Sequence, residues 1–313
     1  MFAVFNATLS PMLVMFTYIV IGFILKKCKA VPDNTAVVLS RLENCVIVPA
    51  LIINTFMKYC TVKSLMEEYR MILYCTFVLF VALIIAFPLS GVFAKDEYLR
   101  NIYKYALTFA NFSFMGNAIV PVILGDDALY RYMLYILPLN AAVYTWGMII
   151  LIPKSKNNAG VLSRLINPIF ISIIIGVILG LSGADGHMPD FIASAISKLA
   201  ACMAPLAMLL TGFVIGGYEF RSLLCNRRVY VATVLRLVIL PLLFITVLYI
   251  MGADKDVLVL TLFAFGTPLG LNTVVFPAAY GGDTHAGASM AMISHTLCVI
   301  TIPLMYALIT SVA

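Results

Sequence analysis

Charge is what this sequence has least of. Only 11% of its 313 residues are Asp, Glu, Lys or Arg, against about 25% in an ordinary soluble domain. With 63% hydrophobic residues and a mean hydropathy of +1.06, that scarcity excludes a soluble enzyme and a disordered chain. It also removes the nucleic-acid partner that a net charge of +6 would otherwise suggest. Alternation of apolar and polar residues in segments of about ten, the mark of a transmembrane barrel, is missing too. No long linker and no separate soluble domain interrupts the chain. The seven cysteines are scattered and odd in number, so they form no metal-ligand or redox spacing. No Asp pair, Ser–His spacing or His cluster within the apolar blocks offers catalytic machinery. The chain is therefore read as a non-enzyme without cofactor or metal.

What is present is a series of apolar blocks about twenty residues long, the length a spanning helix needs. Ten can be marked, approximately at 6–25, 35–57, 70–93, 103–124, 129–153, 166–183, 190–216, 229–251, 256–280 and 286–310. Lys and Arg in short loops stay on the cytoplasmic side. With the N-terminus outside, the cytoplasmic loops hold twelve basic residues (among them Lys26, Lys27, Lys29, Lys154, Lys156, Arg164, Arg227 and Arg228), and the opposite loops hold six. Both termini are thus expected to be extracytoplasmic. The first block lacks a preceding basic region and reads as a spanning helix, not a signal peptide.

The two halves of the chain match at a nearly constant offset. Pro11 matches Pro168. Leu39-Ser40-Arg41-Leu42, Cys45 and Pro49 match Ile196-Ser197-Lys198-Leu199, Cys202 and Pro205, at offsets of 157 and 156. Asn117, Pro121, Gly125 and Asp126 match Asn272, Pro277, Gly281 and Asp283, at offsets of 155 to 157. Two units, 1–156 and 157–313, then carry five helices each. Because five is odd, the second unit enters the membrane inverted, an arrangement common among secondary transporters. The expected fold is an all-α polytopic membrane protein with ten transmembrane helices as two inverted five-helix repeats.

Helices 4 and 9 of that set are weak by local chemistry. Helix 4 contains Asn111, Gly116, Asn117 and Pro121; helix 9 contains Thr267, Pro268, Gly270, Asn272, Thr273 and Pro277. Gly and Pro each weaken a helix interior, by roughly 1 and 3 kcal/mol, and freed backbone groups must line a protein-enclosed or watery cavity. Paired breaks in two halves point to a transporter's binding site. Breaks are expected near Asn117 and Asn272, shaped by Gly116, Pro121, Pro268 and Gly270. Asn111, Asn117, Thr267, Asn272 and Thr273 are the candidate substrate contacts. Asn54 and Thr211, just after the matched prolines of helices 2 and 7, form a second tier. New helix N-termini attract anions, and neither 105–124 nor 257–281 contains an acid, so the expected substrate is an anion. The plain alternative is that such Gly, Pro and Asn residues only serve helix packing.

Ionisable residues inside spans are functional candidates by default. Glu43 and Arg236 lie at similar depth, about 12 Å in at 1.5 Å per residue, and could pair as an inner gate or in coupling. Snorkelling of Arg236 and a local bond for Glu43 are the alternative. His295 is a candidate proton relay or, more simply, an interhelical hydrogen-bond partner.

These residues resemble the auxin efflux carrier family, whose bacterial members include malonate and malate permeases. Asn111 with Met115-Gly116 looks like the family's Asn-x-x-x-Met-Gly-x-Pro motif, with Ala118 where the motif has proline. Asn167-Pro168 with Gly176 and Gly180, Ala204-Pro205-Leu206-Ala207 with Gly212, and Arg236 with Leu240-Pro241 resemble its helices 6 to 8. Thr267-Pro268 through Tyr280-Gly281-Gly282-Asp283, and Thr301-Ile302-Pro303, resemble its end. The resemblance implies crossing helices 4 and 9, a scaffold of helices 1, 2, 6 and 7, and transport of organic carboxylates by alternating access. Asn111, Asn117 and Pro268 carry over as site positions. The short loop between helices 5 and 6 looks like a compact prokaryotic member in the plasma membrane. Expected partners are a small organic anion, membrane lipid, a coupling ion (H+ or Na+) and a second copy in a homodimer. Rival readings are a sodium-coupled bile-acid-type symporter on a similar fold, a membrane-embedded enzyme, and a sensor.

Overall fold

Helices follow the apolar blocks because in lipid a backbone group must be satisfied within its own segment. A computed structural model describes residues 2–151, 167–279 and 282–312. Lys154, Lys156, Arg164, Tyr280, Gly281 and the predicted repeat boundary at 156/157 lie outside the described residues.

In chain order the helices are α1 (Phe2–Lys27), α2 (Thr35–Tyr59), α3 (Val62–Phe93), α4 (Glu97–Thr108), α5 (Phe112–Leu124), α6 (Asp126–Tyr135) and α7 (Leu137–Leu151). After the gap come α8 (Pro168–Leu181), α9 (Asp190–Gly216), α10 (Arg227–Ile250), α11 (Lys255–Phe265), α12 (Asn272–Ala279) and α13 (His285–Val312). Six of them, α1, α2, α3, α9, α10 and α13, are long and apolar enough to cross a membrane. The pair α6 and α7, bent by 47° where Pro138 follows Leu137, makes a seventh if taken as one span. Among the described residues, four π-helical turns interrupt the helices, at Glu43–Ile47, Phe112–Gly116, Val143–Gly147 and Leu235–Ile239.

The largest boundary difference from the sequence reading is at α3. Helix α3 starts at Val62, not near residue 70. The charged stretch Lys63–Arg70 is helical because Thr61 and Ser64 cap it reciprocally, at 2.9 and 3.0 Å, supplying partners for two orphan amides of the first turn. Charge ended the apolar block without ending the helix.

The two most extensive helix pairings among the described residues are α1 with α9 and α2 with α8. Both depend on missing side chains. A Cβ on Gly212 would lie 2.2 Å from the Ile19 carbonyl oxygen, and one on Gly22 would lie 2.4 Å from that of Leu209. In the other pair, a Cβ on Gly180 would lie 2.5 Å from the Phe56 oxygen. Small residues let backbones approach where no hydrophobic force drives association. Large apolar side chains such as Phe80, Ile84, Val92, Ile174 and Ile178 point outward and are exposed. In water that surface would be an aggregation liability; it suits lipid tails.

Candidate functional site

The site begins where two helices stop short and cross. Helix α4 ends at Thr108 and α11 ends at Phe265, and the chain resumes as helix at Phe112 and Asn272. Between them Ala110 and Leu269 form an isolated antiparallel bridge. The Asn111 amide donates to the Pro268 carbonyl at 2.7 Å, and the Leu269 amide donates to the Ser294 hydroxyl at 3.0 Å. Backbone groups freed by each break are thus answered by the other break or by α13. Gly270 permits the crossing: its Cβ would sit 3.3 Å from the Ala110 oxygen.

The break in α11–α12 runs from Gly266 to Leu271 and contains Pro268 and Gly270, with Asn272 opening the second half. The break in α4–α5 lies at Phe109–Asn111, about six residues before the expected Asn117. Gly116 is inside the π turn, where its bare Cα makes room for the Tyr132 ring. Pro121 is inside continuous helix. Having no N–H, it leaves the Asn117 carbonyl without its helical donor, and the helix runs on to Leu124.

Polar residues of the crossing are largely bonded to one another. The Nδ1–H of His295 donates to the Ala291 carbonyl at 2.7 Å, which leaves Nε2 to accept from the Asn111 amide at 3.1 Å. This tautomer is assigned from the partners. The Asn272 amide donates to the Tyr105 hydroxyl at 2.8 Å. Thr273 bonds the Gly270 carbonyl and Thr211 the Ala207 carbonyl. Thr267 is buried, and its hydroxyl has no partner among the described residues.

Beside the crossing lies a cavity of about 260 Å3 between α2, α5 and α9. Asn54, Thr55 and Lys58 line it from α2, Asn117 and Pro121 from α5, and Ser197 and Ala204 from α9, with Asp126 also present. Asn117 is 3% exposed, and no hydrogen bond satisfies its carbonyl oxygen among the described residues. Of the predicted contacts, the structure brings Asn54 and Asn117 together around this space. Asn111, Thr267, Asn272 and Thr273 belong to the crossing itself, while Thr211 does not line the cavity.

Glu43 and Arg236 are both fully buried, yet they form no ion pair with each other. Equal depth did not imply adjacency. The π turn of Glu43 packs on α8 and α9, whereas that of Arg236 packs on α13 and α4. The guanidinium of Arg236 lies 5.7 Å from the centre of the Phe265 ring, at the end of α11.

Sequence reasoning missed Tyr105, Tyr132 and Ser294. The Tyr132 hydroxyl donates to the Phe112 carbonyl at 2.8 Å and lies 3.2 Å from that of Phe263, so one side chain braces both broken helices. One tyrosine among sixteen carries no local signal of that role. Tyr132→Phe keeps the ring and leaves these carbonyls without their donor. A buried unsatisfied group costs about 1–3 kcal/mol, and a matching drop in thermal stability of the purified protein is expected.

Broken helices crossing through paired backbone, beside a partly open cavity in an apolar helical bundle, are the features of a membrane transport protein. Residues 7–306 match the family described as membrane transport protein, the auxin efflux carrier family, and the chain belongs to it. No curated protein matches the chain.

Proposed function

We propose that this transporter is a secondary carrier of a small organic anion, a mono- or dicarboxylate, bound beside the crossing of α4–α5 and α11–α12. The observation that carries the reading is Asn117. It is a buried amide with an unsatisfied oxygen on the wall of a cavity next to the paired breaks. A buried polar group left without a partner is costly, and a ligand is its natural complement. Rotation of the amide offers either its N–H or its carbonyl. Asn54 faces the same space, and Lys58 adds a positive charge to the lining. The acid on the lining is Asp126, at the start of α6; spans 105–124 and 257–281 contain none.

The architecture supporting this function is ten spans in two inverted repeats, 1–156 and 157–313. Helices α4 and α5 form span 4, α6 and α7 span 5, and α11 and α12 span 9. The equivalence of the two glycine-dependent pairs supports the duplication, since spans 1 with 7 and 6 with 2 exchange under it. Spans 1, 2, 6 and 7 act as scaffold, and the others carry the crossing past them in alternating access. The loop charges place both termini outside a plasma membrane. The cavity between α2, α5 and α9 then opens to the extracytoplasmic side, where Lys58 and Asp126 lie. Lipid covers the exposed apolar faces, and a homodimer is compatible with them.

Uptake into proteoliposomes tests the proposal. Labelled malonate, malate, other dicarboxylates and indole-type monocarboxylates are offered with and without sodium and proton gradients. At least one should enter well above the rate of empty liposomes, without a sodium requirement. A strict sodium requirement would transfer the chain to the bile-acid-type reading, and no flux of any anion through folded protein would end the proposal.

A further inference from the structure

We propose that Glu43 is a proton-binding site that controls which side of the carrier is open, an inference that rests on alternating access in the reading above. Glu43 is fully buried, and neither carboxyl oxygen has a hydrogen-bond partner among the described residues. An ionised carboxylate taken out of water without a partner is strongly disfavoured. In the conformation described here the side chain is therefore a neutral acid.

Its position gives that proton a consequence. Glu43 opens the π turn Glu43–Ile47, whose extra residue per turn shifts the helix phase by about 100° relative to an uninterrupted helix. With that shift, Glu43 falls on the same face of α2 as Leu51, Thr55 and Lys58, which line the cavity. The opposite face, with Ile52, Ile53, Phe56 and Cys60, meets α8. Glu43 thus looks along the surface that lines the cavity, about 12 Å beyond Leu51 at 1.5 Å per residue. Ionisation requires water, and on this face water reaches Glu43 when the cavity is replaced by one from the cytoplasmic side.

No neighbouring charge offers an alternative partner. Helix α8 and the second half of α9, Met203–Gly216, contain no titratable side chain, and neither does α12. The remaining groups on packed elements are Arg41, Cys45, Lys58 and Tyr59 on α2, the last two about four turns from Glu43, with Asp190, Lys198 and Cys202 on α9 and Tyr144 on α7. Tyr144 meets Asn44, at 3.5 Å, not Glu43. The proton enters from water on the cytoplasmic side when that side is open. It stays on the carboxyl while Glu43 is occluded, and it returns to water there on reopening.

Spin labels at Asp127→Cys and Lys198→Cys test the inference. Both residues are exposed, and each follows a lining residue of the cavity, Asp126 at the start of α6 and Ser197 on α9. The full chain, with its native cysteines replaced, is reconstituted in nanodiscs, and the label separation is measured by pulsed electron paramagnetic resonance from pH 5 to pH 9. Low pH should favour the long separation. As Glu43 ionises, the ratio of short to long separations should rise by up to about tenfold per pH unit. Glu43→Gln, which imitates the neutral acid, should hold the long separation at every pH, and Glu43→Leu should do the same if the glutamine variant does not fold. An unchanged separation in the native chain, or equal pH dependence in Glu43→Gln, overturns the inference. If the separation then responds to a transported anion, the carrier reading survives without the proton site. If it responds to nothing, alternating access falls as well.

Discussion

Replacing Asn117 and Asn272 together with alanine should lower uptake at sub-saturating substrate by about 10–10²-fold through the substrate contact of Asn117, and further through the loosened crossing. Each hydrogen bond to a charged group is worth about 1.5–3 kcal/mol, or one to two decades in rate or affinity. The two residues act differently. Asn117 has an unsatisfied oxygen on the cavity wall, so Asn117→Ala alone should raise the concentration for half-maximal uptake and leave the protein's stability nearly unchanged. Asn272 holds Tyr105 at the start of α12, so Asn272→Ala should also loosen the crossing and lower thermal stability. Initial-rate uptake with both single variants and the double variant separates the two effects. Native uptake by the double variant would remove the crossing from the binding site.

Gly212→Leu should prevent the chain from folding stably. The added Cβ would stand 2.2 Å from the Ile19 oxygen and 2.7 Å from the Phe23 nitrogen, both backbone atoms that cannot rotate away. Helices α1 and α9 would have to separate along their contact, which is the most extensive pairing among the described residues. Overpacking costs about 1–3 kcal/mol even where side chains can adjust, and here they cannot. The expected result is loss of the monodisperse peak in size-exclusion chromatography, or a large fall in midpoint temperature where some protein survives. Gly217→Leu is the control, because a Cβ there meets nothing closer than 3.4 Å.

How far the sequence could be read depended on whether the cause of a feature was local. Apolar length located the helices, and one break holds Pro268 and Gly270, residues that weaken helix wherever they stand. The break at Phe109–Asn111 is made by a partner about 160 residues away, as Ala110 pairs with Leu269, and it left no local mark. Gly116 and Pro121 looked like its cause and are not. Depth along a helix was readable at Glu43 and Arg236, but direction around it was altered by π turns that the sequence does not announce. Asn54 and Asn117 were legible as polar groups in apolar spans. Ser197, which shares their cavity, was read only as part of the repeat match, and Lys58, on the same wall, lies at the end of its apolar block. Tyr132 was invisible because its role depends on two carbonyls brought together by the fold.

Substrate protection of a cysteine at Ala204 tests the central claim most directly. Ala204 is partly exposed and lines the cavity opposite Asn117. In a chain lacking its native cysteines, Ala204→Cys should react with a membrane-impermeant thiol reagent applied from the extracytoplasmic side. A saturating transported carboxylate should slow that reaction about tenfold or more, while a neutral analogue of the same shape should not. Reaction at one unchanged rate with and without every transported anion would contradict the account.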